Sequence, residues 1–167
     1  MRDIMRVLIG GIDGYIGFPL AMHLALRGHE VMGFDNFSRR RRVKEVGSDS
    51  AIPIESMARR MRTFKHSYGK KLKFYRLDVR NHVAVGELLK SVKPDIIVHL
   101  AELPSAPYSM MDVEHAVETQ HNNIVGTLNI LWGMKSYSPD AYLVKMGSLG
   151  EYGFPKLEIP EGRFEIE

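Results

Sequence analysis

The sequence predicts an α/β fold, a doubly wound parallel sheet covered by helices on both faces, in one domain over residues 1–167. Three observations predict it. Apolar runs of strand length alternate with stretches of helical spacing, the pattern of repeated β-α units. The apolar runs are continuous rather than alternating, as strands buried on both faces require. A glycine-rich turn joins the first apolar run to the first helical stretch.

The elements follow in order. "IMRVLIGG" (4–11) reads as a buried strand. "YIGFPLAMHLALRG" (15–28) places Ile16, Leu20 and Leu24 at helical spacing and ends at Gly28, a helix stop. "HEVMGFD" (29–35) is a second strand, and 36–54 is a long polar connection without periodicity. "ESMARRMRTFKHSYG" (55–69) is an amphipathic helix carrying Met57, Met61, Phe64 and Tyr68. "LKFYRLDV" (72–79) is the third strand. "HVAVGELLKSV" (82–92) is a helix stopped ahead of Pro94. "DIIVHLA" (95–101) is the fourth strand, 113–137 one long helix, and "AYLVKMGS" (141–148) the fifth strand. After Gly150 the alternation stops. "EYGFPKLEIPEGRFEIE" reads as loop with at most a short strand at "RFEIE", so the chain is expected to be the N-terminal part of a longer protein, truncated before a substrate domain.

Composition narrows the classes. A chain of 167 residues with 44% hydrophobic and 26% charged residues can bury one sizeable core. No apolar run reaches the ~18 residues of a membrane span. The first strand begins almost at once, leaving no room for a signal peptide, so a cytoplasmic location is expected. The absence of cysteine excludes disulfides and thiolate catalysis. Basic residues concentrate in "SRRRRVK" (38–44) and "ARRMRTFK" (58–65), either a polyanion patch or a solvated face. No nucleic-acid module accompanies them, so no nucleic-acid partner is expected, and no metal site either.

The glycine turn carries the first chemistry. Gly11-Ile12-Asp13-Gly14-Tyr15-Ile16-Gly17 is a G-x-x-G-x-x-G segment between a strand and a helix. Gly11 permits the tight turn, Gly14 removes a Cβ from the path of a pyrophosphate, and Gly17 lets helix pack on strand. The helix beginning near Gly14 directs its free N–H groups at the phosphates. The expectation is therefore a Rossmann-like dinucleotide site. Asp35 ends the second strand, 18 residues beyond Gly17. A carboxylate there accepts from ribose hydroxyls and repels a 2′-phosphate, which favours NAD. Arg39 and Arg40, which follow Asn36 closely, keep NADP open. Asp78, beside Val79 at the end of the third strand, is placed to accept from an adenine amino group or to hold a turn.

In this order the residues resemble the extended short-chain dehydrogenases that act on nucleotide sugars. The resemblance lies in the cradle with Asp35-Asn36, "LDV" (77–79), "VHLAE" (98–102) and "NNIVGTLNIL" (122–131). It implies that Leu100, Ala101 and Glu102 line the cofactor and that Asn123 reaches towards the active site. A narrower similarity, to the UDP-sulfoquinovose synthases, lies in "SAPYSM" (105–110), "TQHNNIVGTLN" (119–129) and "GEYG" (150–153). Enzymes of that subfamily join sulfite to UDP-glucose, with NAD as a recycled hydride carrier. It implies Ser148 as the catalytic hydroxyl, with Ser105, Tyr108, Ser109, His121 and Glu151 on the substrate side. It also implies a homodimer through the 113–137 helix. Two departures stand out. Leu103-Pro104 replaces the subfamily's Gln-Arg, removing a natural anion partner, and Ser148 stands where Thr is usual.

Tyr152 and Lys156 have the Tyr-x-x-x-Lys spacing of short-chain dehydrogenases, yet Gly153 and Pro155 lie between them. A Tyr–Lys pair works from one helix face, and Pro155 disfavours that helix. The pair is therefore read as coincidental, with the functional Tyr and Lys expected beyond Glu167 and the present chain expected to be inactive alone. Two further readings stay open: another nucleotide-sugar epimerase or dehydratase, and a non-catalytic dinucleotide-binding module.

Overall fold

The computed structural model describes residues 4–147. Strands β1 (Arg6–Gly10), β2 (Glu30–Asp35), β3 (Lys73–Arg76), β4 (Ile96–His99) and β5 (Tyr142–Lys145) form one parallel sheet in the order β3-β2-β1-β4-β5. Val7 pairs with Val31 on one side of β1 and with Ile96 on the other. Helices α1 (Gly17–Leu26), α3 (Met57–Tyr68) and α4 (His82–Val92) connect consecutive strands. A four-residue helix, α5 (Ala106–Ser109), and then α6 (Val113–Gln120), a π-helical turn (His121–Val125) and α7 (Gly126–Tyr137) lead from β4 to β5.

The period of two along β1 divides the core. Val7 and Ile9 join Phe18, Ala21, Ala25, Val31 and Phe64 on one face of the sheet. Leu8 joins Met32, Phe34, Val85, Leu89, Ile97 and Ile130 on the other. A strand with both sets of side chains buried carries no polar alternation, which is why β1, β2 and β4 read as continuous apolar runs. Two glycines two turns apart let α7 lie close to α4 and to the loop after β3. A Cβ at Gly126 would stand 2.7 Å from Val79 Cγ1, and one at Gly133 2.5 Å from Leu89 Cδ1.

Several boundaries differ from expectation for identifiable reasons. α1 begins at Gly17, and its buried face is Phe18, Ala21 and Ala25, with Ile16 half exposed and Leu20 and Leu24 only partly buried. The helix is apolar nearly all round, so its periodicity does not select a face, and the small alanines allow the closest approach to the sheet. β3 and β5 are exposed where uninterrupted burial was expected, because they are the edges of the described sheet. The 36–54 connection contains a helix, α2 (Ser38–Glu45). Arginines hold it in place: Arg40 pairs with Asp13, Arg41 with Glu45 and the buried Arg42 with Glu118. Four consecutive arginines give no apolar period, so hydrophobic spacing does not reveal this helix. The expected long helix over 113–137 is interrupted by the π turn at His121–Val125.

Gly17 sets the seat of α1 on the turn before it. A Cβ there would lie 2.3 Å from the Gly11 carbonyl oxygen and 2.8 Å from Ile12 Cα, both rigid backbone. At Gly14 it would meet only the Gly11 oxygen, at 3.2 Å. Gly17→Ala is expected to lower unfolding stability by roughly 1–3 kcal/mol, and Gly14→Ala by clearly less. Thermal denaturation of the two variants beside the parent tests the difference, and equal losses would contradict it.

Candidate functional site

The order of strands fixes where a ligand can sit. The chain runs outward from β1 through β2 to β3, then returns to β4 on the other side of β1 and goes on to β5. The C-terminal ends of β1 and β4 therefore border the crevice where the winding reverses, the usual ligand position in an open α/β sheet.

The glycine turn lines that crevice. Gly11 has φ 80°, a conformation glycine adopts without strain, and a Cβ there would stand 2.6 Å from the Leu100 carbonyl oxygen. Its N–H donates to the Phe34 carbonyl at 2.9 Å, anchoring the turn to the end of β2. Tyr15 and Ile16 then stand out of the fold, Tyr15 being 92% exposed. Ile16 gives α1 no side-chain cap, so no side chain covers its first amides. The helix starts three residues later than Gly14, and the Gly14 amide is taken up inside the turn by the Gly11 carbonyl at 3.1 Å.

Asp35 closes the other side. One carboxylate oxygen accepts from Asp13 N at 3.0 Å and the other from Phe37 N at 2.7 Å. Burial pushes its pKa up, only partly offset by these backbone donors. Asn36 Nδ2 donates to Asp78 Oδ2 at 3.0 Å, tying the ends of β2 and β3 together. Burial opposes ionisation of Asp78, but the Arg80 guanidinium, with Nη2 at 2.7 Å, and the Asn36 amide hold its pKa at about 2. Its oxygens are thus already engaged within the protein. Val79 is buried against α7 and faces the core. Arg39 is exposed, whereas Arg40 forks onto Asp13 with Nε at 2.7 Å and Nη2 at 2.8 Å.

At the end of β4 the backbone is held by asparagines. Asn123 receives Leu103 N at 2.8 Å and donates to Leu103 O at 3.1 Å, so its side chain closes on the loop. Asn122 donates to Ala101 O at 3.1 Å. Leu100 N donates to Gly10 O at 2.9 Å. His99 is fully buried, with Nε2 3.2 Å from Thr127 Oγ1, and burial pushes its pKa down, which keeps the ring neutral. Glu102 pairs with Lys145 at 2.9 Å and braces the ends of β4 and β5 against each other.

The substrate-side candidates fall into two places. Ser105 caps α5 by accepting from Tyr108 N at 3.3 Å, and Ser109 Oγ donates to Ala106 O at 3.2 Å. Tyr108 is 2% exposed, and its hydroxyl donates to Glu118, which Arg42 holds at 2.7 Å. His121 is exposed on the π turn, one helical turn beyond Glu118, and lines a pocket with it, Arg80 and Val117. Ser148 and Glu151, with Tyr152 and Lys156, lie outside the described residues. Asn122, Arg60, Glu118 and Lys145 were not singled out in the sequence. For Asn122 a signal existed, since two adjacent asparagines are poor choices for a helix interior unless their side chains bond elsewhere. Among the described residues no group of three or more His, Asp or Glu is placed to hold a metal, and no helix is long and apolar enough to cross a membrane.

The residues present fit a dinucleotide. A glycine turn in which a Cβ at Gly14 would crowd the Gly11 oxygen is bonded to a carboxylate at the end of β2, and it leads into a helix with no side-chain cap. Comparison with known proteins agrees. The chain is 48% identical over 157 residues to the UDP-sulfoquinovose synthase of Sulfolobus acidocaldarius, covering 94% of this chain and 40% of that protein. It is 41% identical over 161 residues to the chloroplastic UDP-sulfoquinovose synthase of Spinacia oleracea, covering 96% of this chain and 33% of that one. It thus spans well under half the length of these relatives. The crystal structure of the UDP-glucose 4-epimerase from Bifidobacterium longum in complex with NAD+ and UDP matches 93% of this chain and 40% of that one, with a TM-score of 0.69 and 26% identity. The model of the NAD dependent epimerase/dehydratase family matches residues 7–165, and to that family this chain belongs.

Proposed function

We propose that the chain is the NAD-binding part of an enzyme that makes UDP-sulfoquinovose from UDP-glucose and sulfite through transient oxidation at the sugar C4. The carrying observation is the 48% identity to a UDP-sulfoquinovose synthase across 94% of the chain. Asp35 at the end of β2, facing the glycine turn, supports NAD over NADP. NAD, when bound, supplies the acceptor for the hydride leaving C4.

The chain's own residues then have separable roles. Gly14 leaves the pyrophosphate its approach, and Asp35 accepts from ribose hydroxyls. Leu100, Ala101 and Glu102 form the wall beyond β4, held in register by Asn122 and Asn123. Neutral His99 and Thr127 keep that wall rigid without adding charge beneath it. Ser148 orients the sugar hydroxyl, and the proton leaves to a tyrosine whose pKa a lysine on the same helix lowers. We place that tyrosine beyond Glu167. The reading also includes a cytoplasmic setting and a homodimer. Val113, Val117, Ile124, Leu128 and Trp132, all 48% exposed or more along α6, the π turn and α7, support the second-copy contact. A second reading, another nucleotide-sugar epimerase or dehydratase, is favoured by Leu103-Pro104, which offers sulfite no cation. Products formed from UDP-glucose with and without sulfite separate the two.

NAD should bind more tightly than NADP by titration calorimetry, and an NADP preference would overturn the role of Asp35. Gly14→Ala should weaken NAD binding by at least about tenfold while costing less stability than Gly17→Ala. Unchanged affinity would make Gly14 a purely structural residue.

The 167-residue chain alone should turn over no UDP-glucose with sulfite. A longer chain supplying the next helix should be active. In it, Ser148→Ala should lower kcat roughly tenfold to a thousandfold, and Tyr152→Phe far less than loss of the downstream tyrosine. Activity of the short chain that Tyr152→Phe abolishes would instead make Tyr152 and Lys156 the catalytic pair.

A further inference from the structure

The glycine turn carries an unusual burden of charge. Asp13, between Gly11 and Gly14, keeps only 6% of its side chain exposed, yet it is met by two guanidinium groups. Arg40 of α2 forks onto both carboxylate oxygens, at 2.7 and 2.8 Å. Arg60 of α3 donates to Oδ1 at 3.0 Å and to the Asp13 carbonyl at 3.3 Å. Both arginines are held from behind. Arg40 also donates to the carbonyls of Ile54 at 3.3 Å and Glu55 at 3.0 Å and lies 5.5 Å from the Phe37 ring centroid. Arg60 stacks 3.8 Å from the centroid of Phe18. The two cations therefore have fixed positions that do not depend on Asp13 alone.

Their position is the informative part. The Asp13 amide donates to Asp35 Oδ2 at 3.0 Å, so the arginine pair sits one residue from the carboxylate assigned to the adenosine ribose. Two carboxylates, Asp13 and Asp35, balance two guanidiniums there. Without Asp13 the balance becomes two cations against one anion, beside a ribose edge. Paired, preorganised guanidiniums are the usual receptor for a phosphate monoester, which carries about −1.5 to −2 charges near pH 7.

The geometry points to Asp13 as a specificity-determining residue, whose carboxylate occupies two arginines that would otherwise receive the 2′-phosphate of a dinucleotide. This rests on the reading of the crevice as a dinucleotide site and deepens it. Asp35 repels the 2′-phosphate by charge, whereas Asp13 withholds its receptor. Arg40, one of the two arginines that kept NADP open in the sequence, is thereby turned to the opposite preference. The bond geometry also explains why α2 and α3 are fastened to the turn at this point, since Arg40 and Arg60 come from one helix each.

The test is calorimetric titration of the 167-residue chain with NAD and with NADP, and thermal-shift titration with 2′-AMP as a probe of the monoester alone. Asp13→Asn keeps the shape and removes the charge. It should raise the NADP-to-NAD affinity ratio by at least about tenfold, the scale of a charge-assisted bidentate contact. Added Arg40→Gln should abolish the gain, and 2′-AMP should stabilise Asp13→Asn more than the parent. If Asp13→Asn fails to fold, Asp13→Asn/Arg60→Gln keeps the charge balance with Arg40 still free, and a smaller shift in the same direction is expected. A folded variant with an unchanged ratio and no added response to 2′-AMP would leave Asp13 a structural anchor and overturn the inference. A parent that binds neither dinucleotide would overturn the reading on which it rests, whereas NAD binding with an immovable ratio overturns the inference alone.

Discussion

Everything at the crevice depends on how closely α1 can approach the turn that precedes it. The carbonyl oxygen of Gly11 accepts from Gly14 N at 3.1 Å and lies where a Cβ of Gly17 would fall. With hydrogen at that position, the first turn of α1 rests on the end of β1, and Phe18, Ala21 and Ala25 reach the core. Moving the helix outward by the width of a methyl group would part those residues from Val7 and Ile9. It would also carry the turn amides away from Asp35. One missing side chain thus couples the packing of the sheet to the shape of the site.

Electrostatics supplies the second tier of order. The segment after β2 has little apolar material with which to hold itself down. Its arginines reach two acids on other parts of the chain, Asp13 in the turn and Glu118 in α6, and one within α2 itself, Glu45. Arg42 is buried with Tyr108 nearby, and Tyr108 shares Glu118 with it. The partly buried members of this network are screened little by water and contribute positional order, while the exposed Arg41–Glu45 pair contributes little. Two halves of the wall around the crevice are joined in this way, the β2–α3 connection on one side and the β4–α7 connection on the other.

The sheet and its glycine turn were legible in the sequence because both follow from local rules. Continuous apolar runs mark strands buried on two faces, and glycine spacing marks a backbone that must come close to something. The edge strands were misjudged for burial because strand order is a property of the whole chain, and nothing in "LKFYRLDV" or "AYLVKMGS" states it. α2 escaped notice because its stability comes from partners distant in sequence, Asp13 being 27 positions and Glu118 76 positions away. The same distance hid the pairing of Arg60 with Asp13 and of Lys145 with Glu102. Asn123 was expected to reach towards the active site, and its side chain instead closes on the Leu103 backbone, beside the bond from Asn122 to Ala101.

That widening has a consequence for how the chain can change in length. A π-helical turn accommodates one residue more than an α-helix of the same rise. Loss of a single residue from His121–Val125 would let α6 and α7 join as one regular helix with their faces nearly unchanged, because the wide turn already absorbs the surplus residue. Glu118 would then keep its side of the helix, toward Arg42 and Tyr108, and only the turn's own bonds, such as that of Asn122 to Ala101, would be disturbed. A deletion within α6, between Glu118 and α7 but outside the wide turn, has no such outlet and would turn the segment before it by about 100°. Substitutions on the outer face leave these contacts alone, whereas a one-codon deletion that removes Asn122 would release the loop after β4, Ala101 being 21 positions earlier in the chain.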